Sequence, residues 1–201
     1  MMNRILQVLL LSLATLALPA AAVPAIGQSA PDFSLLDVAG KPVKLTDFKG
    51  RYVVLEWVNP DCPYVRRHYD SANMPSLQKE TGSRNVAWLA INSTRAGHSE
   101  FKTPEQMASW MKQVGGAPAA TLLDSDSKVG KAYGATTTPH MYIIDPKGQL
   151  IYVGAIDDKR SASLAETKNA KNYVRAALGE SMAGKPVSTA STVSYGCTVK
   201  Y

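Results

Sequence analysis

Residues 52–57 (YVVLEW) form a compact β-branched and aromatic run, and Pro60-Asp61-Cys62-Pro63 ends it abruptly. Such a run reads as a buried strand. Pro63 then suits the first turn of a helix, where a missing N–H costs nothing. The sequence therefore sets a thiol, Cys62, where a buried strand gives way to a helix. In open α/β sheets, ligand chemistry gathers beyond the carboxyl ends of strands. A helix N-terminus also offers unpaired N–H groups and a positive partial charge, and both favour thiolate over thiol. Arg66, one helical turn on, is placed to add to that field. Placement alone leaves the alternative that Cys62 is an inert half of a disulfide.

The rest of the chain alternates between strand-like and helix-like pieces. Residues 32–35 read as extended, Gly40-Lys41 as a turn and 43–45 as a second short strand. A helix is expected over 63–82, interrupted or kinked at Pro75. Residues 85–92 (NVAWLAIN) read as a second central strand, and Thr103-Pro104-Glu105-Gln106 as a capped helix start running to Val114. A strand over 120–123, a helix over 128–133 and strands over 141–144 and 150–153 follow, the last two joined by the turn signal Asp145-Pro146-Lys147-Gly148. A last helix is expected over 169–178, then a Ser/Thr-rich tail. This order implies an α/β fold: a central sheet covered on both faces, part of it antiparallel.

The first residues stand apart from that pattern. Arg4 precedes an almost wholly apolar run over 5–18, and Pro19-Ala20-Ala21-Ala22 supplies small residues at a cleavage site. Residues 1–22 thus read as a secretory signal cleaved after Ala22. The run is short for the alternative, an uncleaved membrane anchor. No Cys near the cleavage site suggests a lipid anchor, so no membrane association is expected after cleavage. Removing the segment leaves 21 basic against 16 acidic residues, a net charge of +5. The basic residues, Arg66 and Arg67 among them, are scattered without aromatic interleaving, so nucleic-acid binding is poorly supported. Two cysteines, Cys62 and Cys197, fit one disulfide in an exported chain. A chain of 201 residues does not need that bond to compensate for a missing core, which points to chemistry.

Several motifs occur in a recognisable order. Pro31-Asp32-Phe33, Gly40-Lys41, Leu45, Asp47-Phe48-Lys49-Gly50, Val53-Val54-Leu55 and Cys62-Pro63 resemble the opening of the redoxin family of the alkyl hydroperoxide reductase and thiol-specific antioxidant type. That family includes peroxiredoxins and exported thioredoxin-like reductases. Thr138-Pro139, just before Met141-Tyr142-Ile143-Ile144-Asp145, matches its second landmark. The resemblance covers residues 25–160 and implies a thioredoxin fold: a central mixed sheet flanked by helices, with an N-terminal β extension. It implies that Cys62 is the nucleophile, faced by a cis peptide before Pro139. The backbone of Thr138 would then be free to pair with a substrate chain lying across Cys62. Glu56 stands in an otherwise apolar strand, six residues before Cys62. Thioredoxins carry a buried acid at that spacing, used in proton transfer. Burial raises a carboxyl pKa, which suits a proton acceptor near neutrality.

The chain departs from both branches of the family. Thioredoxins carry a second cysteine three residues after the first, where this chain has Val65. Peroxiredoxins place Pro seven residues and Thr or Ser three residues before their cysteine, where this chain has Leu55 and Asn59. The local dithiol mechanism is thus excluded and the peroxidase mechanism weakened, though the Asn59 amide can donate a hydrogen bond. Cys197, in a polar tail expected to be flexible, is the candidate resolving cysteine, attacking an adduct on Cys62. The alternative is a permanent Cys62–Cys197 staple. It would close a loop of more than 130 residues, a stabilisation of about 5 kcal/mol in the chain-entropy model.

His140 follows Pro139 and is expected near Cys62, while His68 points elsewhere, and one Cys with one His makes a poor metal site. Asp157-Asp158 reads as turn residues and helix caps. The expected organisation is a signal (1–22), a redoxin domain (23–180) and a tail (181–201) carrying Cys197. The expected function is a periplasmic or extracellular thiol-disulfide oxidoreductase using Cys62, Glu56, Thr138, Pro139 and Cys197. No cofactor or metal is called for. Its partners would be protein disulfides or hydroperoxides, with an external thiol as reductant. The alternatives are a thiol-dependent peroxidase and a non-catalytic binding module with a structural disulfide.

Overall fold

A computed structural model describes residues 23–201. The expected signal segment, residues 1–22, lies outside the described residues. The chain runs β1 (Ser34–Asp37), β2 (Pro42–Lys44), β3 (Val53–Trp57), α1 (Pro63–Asp70), α2 (Asn73–Ser83), β4 (Ala87–Asn92), α3 (Pro104–Gln113), β5 (Ala120–Leu123), α4 (Lys128–Tyr133), β6 (Thr137–Thr138), β7 (His140–Ile144), β8 (Leu150–Gly154), α5 (Tyr173–Met182) and β9 (Cys197–Thr198). Short 3-10 turns occupy Leu45–Phe48 and Leu164–Thr167.

Seven strands form one mixed sheet in the order β2-β1-β5-β4-β3-β7-β8. The parallel centre, β5-β4-β3, is extended by antiparallel β7 and β8 on one side. The N-terminal hairpin β1-β2 pairs antiparallel with β5 at the other edge. Strand alternation divides the core. Val53, Leu55 and Trp57 pack on one face with Phe33, Leu45 and Tyr133. Val54 and Val58 pack on the other with Tyr69, Met74, Met107 and Val174, drawn from α1, α2, α3 and α5.

Two helices depart from the sequence reading. The long first helix is two, broken at Ser71–Ala72, where Ala72 turns left-handed at φ 57°. The break precedes Pro75 because a proline ring collides with the carbonyl four residues earlier, here that of Ser71. Pro75 itself then sits in the first turn of α2, where no N–H is needed. The last helix begins at Tyr173, later than expected, because Asn172 caps it by accepting from Arg175 N at 2.8 Å.

The tail is not a free end. Thr192 N donates to Val153 O at 3.0 Å, Val199 N to Thr136 O at 3.1 Å and Arg95 N to Lys200 O at 2.9 Å. Tyr201 closes the chain by donating to Ala135 O at 2.6 Å. The flexible tail read from its polar composition is thus held against the fold at both ends.

Candidate active site

Strand β3 delivers the chain to a tight turn in which Cys62 N donates to Asn59 O at 3.1 Å. Cys62 is the N-cap of α1, with Pro63 at the first helical position. Its Sγ donates to the carbonyl oxygen of Thr138 at 3.0 Å. The Thr138–Pro139 peptide is cis. The structure therefore brings Cys62 and the cis Thr138–Pro139 peptide together, the arrangement that the resemblance implied.

Cys197 completes the group. Strand β9 runs antiparallel to β6, with Cys197 opposite Thr138 and Thr198 opposite Thr137. The Thr138 edge, expected to be open for a substrate chain, is occupied by this chain's own tail. Sulfur and edge are covered together, and Cys62 is only 1% exposed. The approach demands glycine at 196: its φ is +130°, and a Cβ there would lie 2.0 Å from Thr138 O. Both cysteines are free thiols. Burial, then a hydrogen bond and the charge of the neighbouring Cys62, push the Cys197 thiol up to about 12. The Cys197 thiol is thus held protonated.

Glu56 is fully buried. Trp88 Nε1 donates to it at 2.7 Å, the Tyr69 hydroxyl at 3.0 Å and Gln78 Nε2 at 3.2 Å. Burial raises its pKa to about 7 against the lowering effect of these donors. Glu56 alternates onto the face where Cys62 joins the apolar cluster. Among the described residues no hydrogen bond joins the two.

A buried polar network behind the thiols escaped the sequence reading. Arg67, one of the scattered basic residues, is 1% exposed and pairs with Asp157 at 2.8 Å. It also donates to the carbonyls of Lys159 at 2.5 Å and Ser161 at 2.8 Å and to the Thr167 hydroxyl at 3.0 Å. Asp157 does cap a turn, accepting from Lys159 N at 2.9 Å. Its carboxylate also receives a short hydrogen bond from the Tyr195 hydroxyl. His68 Nε2 lies 3.3 Å from that hydroxyl, and its Nδ1 lies 2.9 Å from Asn73 Nδ2. The one available signal was Tyr195 itself, an aromatic two residues from Cys197 in a Ser/Thr-rich tail.

Other candidates lie elsewhere. His140 turns to the opposite face of the sheet, with its ring 4.7 Å from that of Tyr142, and burial lowers its pKa to about 4. Among the described residues no hydrogen bond joins it to Cys62: residue 140 alternates with Met141, which packs in the cluster that holds the thiol. The Asn59 amide donates to Glu100 at 2.6 Å. Arg66 is exposed and borders a groove with Asp61, Lys102 and Trp110.

A cysteine capping the helix after the central strand, faced by a cis-proline loop on a sheet of this order, defines a thioredoxin-fold thiol protein. The chain belongs to the AhpC/TSA family, whose model matches residues 26–153. It is 29% identical over 127 residues to the thiol-disulfide oxidoreductase ResA of Bacillus subtilis, covering 63% of this chain. The match spans 65% of that relative, slightly under two thirds of its length. An uncharacterized conserved protein from Geobacillus kaustophilus is 30% identical with a TM-score of 0.77, over 92% of this chain and 98% of its own. The thioredoxin domain of a Bacteroides vulgatus thiol-disulfide oxidoreductase shares the fold at a TM-score of 0.54 and 20% identity, over 72% of this chain and 95% of its own.

Proposed function

We propose that the chain is an exported thiol-disulfide oxidoreductase in which Cys62 is the nucleophile and Cys197 the resolving cysteine. The observation that carries this reading is their meeting on Thr138, whose carbonyl accepts the Cys62 thiol at 3.0 Å and whose strand pairs with that of Cys197. The name of the Bacillus subtilis relative supports the reaction class. The thiolate of Cys62 attacks a substrate disulfide, forming a mixed disulfide and releasing one substrate thiolate. Cys197 then attacks Cys62 Sγ and releases the second. The substrate gains two electrons, the chain is left with a Cys62–Cys197 disulfide, and an external dithiol restores it. Glu56, with its pKa near 7, exchanges the proton that these steps move. A protein substrate takes the Thr138 edge as the tail leaves it. Residues 23–180 act as the redoxin domain and 181–201 as its resolving tail, after residues 1–22 direct export to the periplasm or beyond.

The peroxidase alternative is disfavoured, because the Asn59 amide, standing where a peroxide-orienting hydroxyl is expected, is taken by Glu100. Turnover of a disulfide-bonded peptide by the Cys62→Ser and Cys197→Ser variants tests the proposal. Cys62→Ser should abolish turnover with the fold intact, and Cys197→Ser should accumulate a mixed disulfide on Cys62. Unchanged turnover in Cys62→Ser overturns the reading. Peroxide oxidation of the reduced protein should be no faster than that of free cysteine.

A further inference from the structure

The ladder that brings Cys197 to Thr138 has two residues in each strand. A ladder of that length does not hold itself together, so the position of Cys197 depends on anchors outside it. On the C-terminal side the anchors are the Val199 amide and the Tyr201 hydroxyl, both bonded to backbone carbonyls. On the N-terminal side the nearest anchor is a side chain, and the next, Thr192 N bonded to Val153 O at 3.0 Å, lies five residues before Cys197. Tyr195 is 4% exposed, and only Gly196 separates it from Cys197. Its hydroxyl donates to Asp157 and lies 3.5 Å from Arg67 Nη1 and 3.3 Å from His68 Nε2. Its ring meets that of Tyr64 edge to face, with centroids 5.9 Å apart.

Tyr64, Arg67 and His68 all belong to α1, the helix that Cys62 caps. One rigid element thus carries the first thiol at its tip and the anchor of the second along its side. A buried ion pair of this kind adds little stability over an apolar pair, whereas removing one partner strands the other.

Resting on the thiol-exchange reading above, we infer that Tyr195 is a positioning residue for the resolving step, its hydroxyl clamped by Asp157 and Arg67 so that Cys197 meets Cys62 in a single register. In that step the Cys197 sulfur bonds to Cys62 Sγ and the bond from Cys62 to the substrate sulfur breaks. The proton lost by Cys197 ends on the departing thiolate. No further oxidant or reductant is needed. Loss of the hydroxyl leaves the chemistry unchanged and lowers the effective concentration of Cys197 at Cys62.

The test uses the mature chain, wild type and Tyr195→Phe, equilibrated with mixtures of reduced and oxidised glutathione. Acid quenching, alkylation and intact mass give the ratio of internal disulfide to glutathione mixed disulfide on Cys62. That ratio multiplied by the concentration of reduced glutathione is the effective concentration of Cys197. Tyr195→Phe should lower it at least about tenfold, the scale of one buried hydrogen bond to a charged group. Amide exchange at Val199 should quicken in the reduced variant. A merely structural role would lower the denaturation midpoint and leave the ratio alone. A ratio within twofold of wild type overturns the inference while the exchange reading stands. A wild type that forms no internal disulfide in any mixture overturns both.

Discussion

Thr138 stands opposite Cys197 in an antiparallel ladder, and its carbonyl accepts the Cys62 thiol at 3.0 Å. One residue thus meets the Cys62 sulfur through its carbonyl and the Cys197 backbone through its strand, and Gly196 lets the tail come close enough. A Cβ at 196 would collide with Thr138 O, in a backbone conformation (φ +130°) that L side chains rarely adopt. Gly196→Ala is therefore expected to lift β9 from the edge. Strain of about 1–3 kcal/mol corresponds to a rise of about fivefold or more in maleimide labelling of Cys62, read by mass spectrometry of the reduced protein.

Arg67 is expected to be critical for stability. Truncating one member of a buried ion pair strands the other, so Arg67→Ala should cost about 3–5 kcal/mol in urea denaturation. Replacing both members, as Arg67→Met with Asp157→Leu, should cost much less. It should also loosen the tail, visible as faster amide exchange at Val199.

Glu56 should make stability depend on pH. Its pKa is about 7 in the fold against an ordinary 4.5. Between those values the folded chain binds more protons than the unfolded one, so stability falls as pH rises from 4.5 to 7 and levels off above. The size of the fall is about 3 kcal/mol. Glu56→Gln should flatten that slope in denaturation curves and remove the transition near pH 7 from the thiol-exchange rate.

Cys197 should titrate lower once its neighbour is gone. Its thiol is raised to about 12 by burial first, then by the hydrogen bond and charge of Cys62. Cys62→Ala removes the last two causes and keeps the first. The thiolate absorbance of Cys197 should therefore appear at lower pH than in the reduced wild type, though still above that of an exposed cysteine.

Much of this fold was legible in the sequence where signals are local. Strand β5 and helix α4 fall at the expected residues, since short apolar runs bounded by Gly, Pro and Asp leave little freedom. The Thr103 cap of α3 was equally plain, and Gln106 completes it. Cys62, Glu56 and Pro139 stood out because each breaks its local pattern: a thiol after a strand, an acid inside one, a proline before one. What escaped was non-local. A two-residue strand has no periodicity, so nothing near Thr138 or Cys197 announces that they pair across 59 residues. Arg67 reads as a surface cation until Asp157 and Tyr195, distant in sequence, are seen to enclose it.

The central claim is that Cys62 and Cys197 of one chain form a redox couple. Peptide mapping of the oxidised monomer under non-reducing conditions tests it most directly. The account predicts a linked pair of peptides carrying Cys62 and Cys197, lost on treatment with a dithiol and restored by a disulfide substrate. Peptides joined only between different chains, or both cysteines still free after exposure to that substrate, would contradict it.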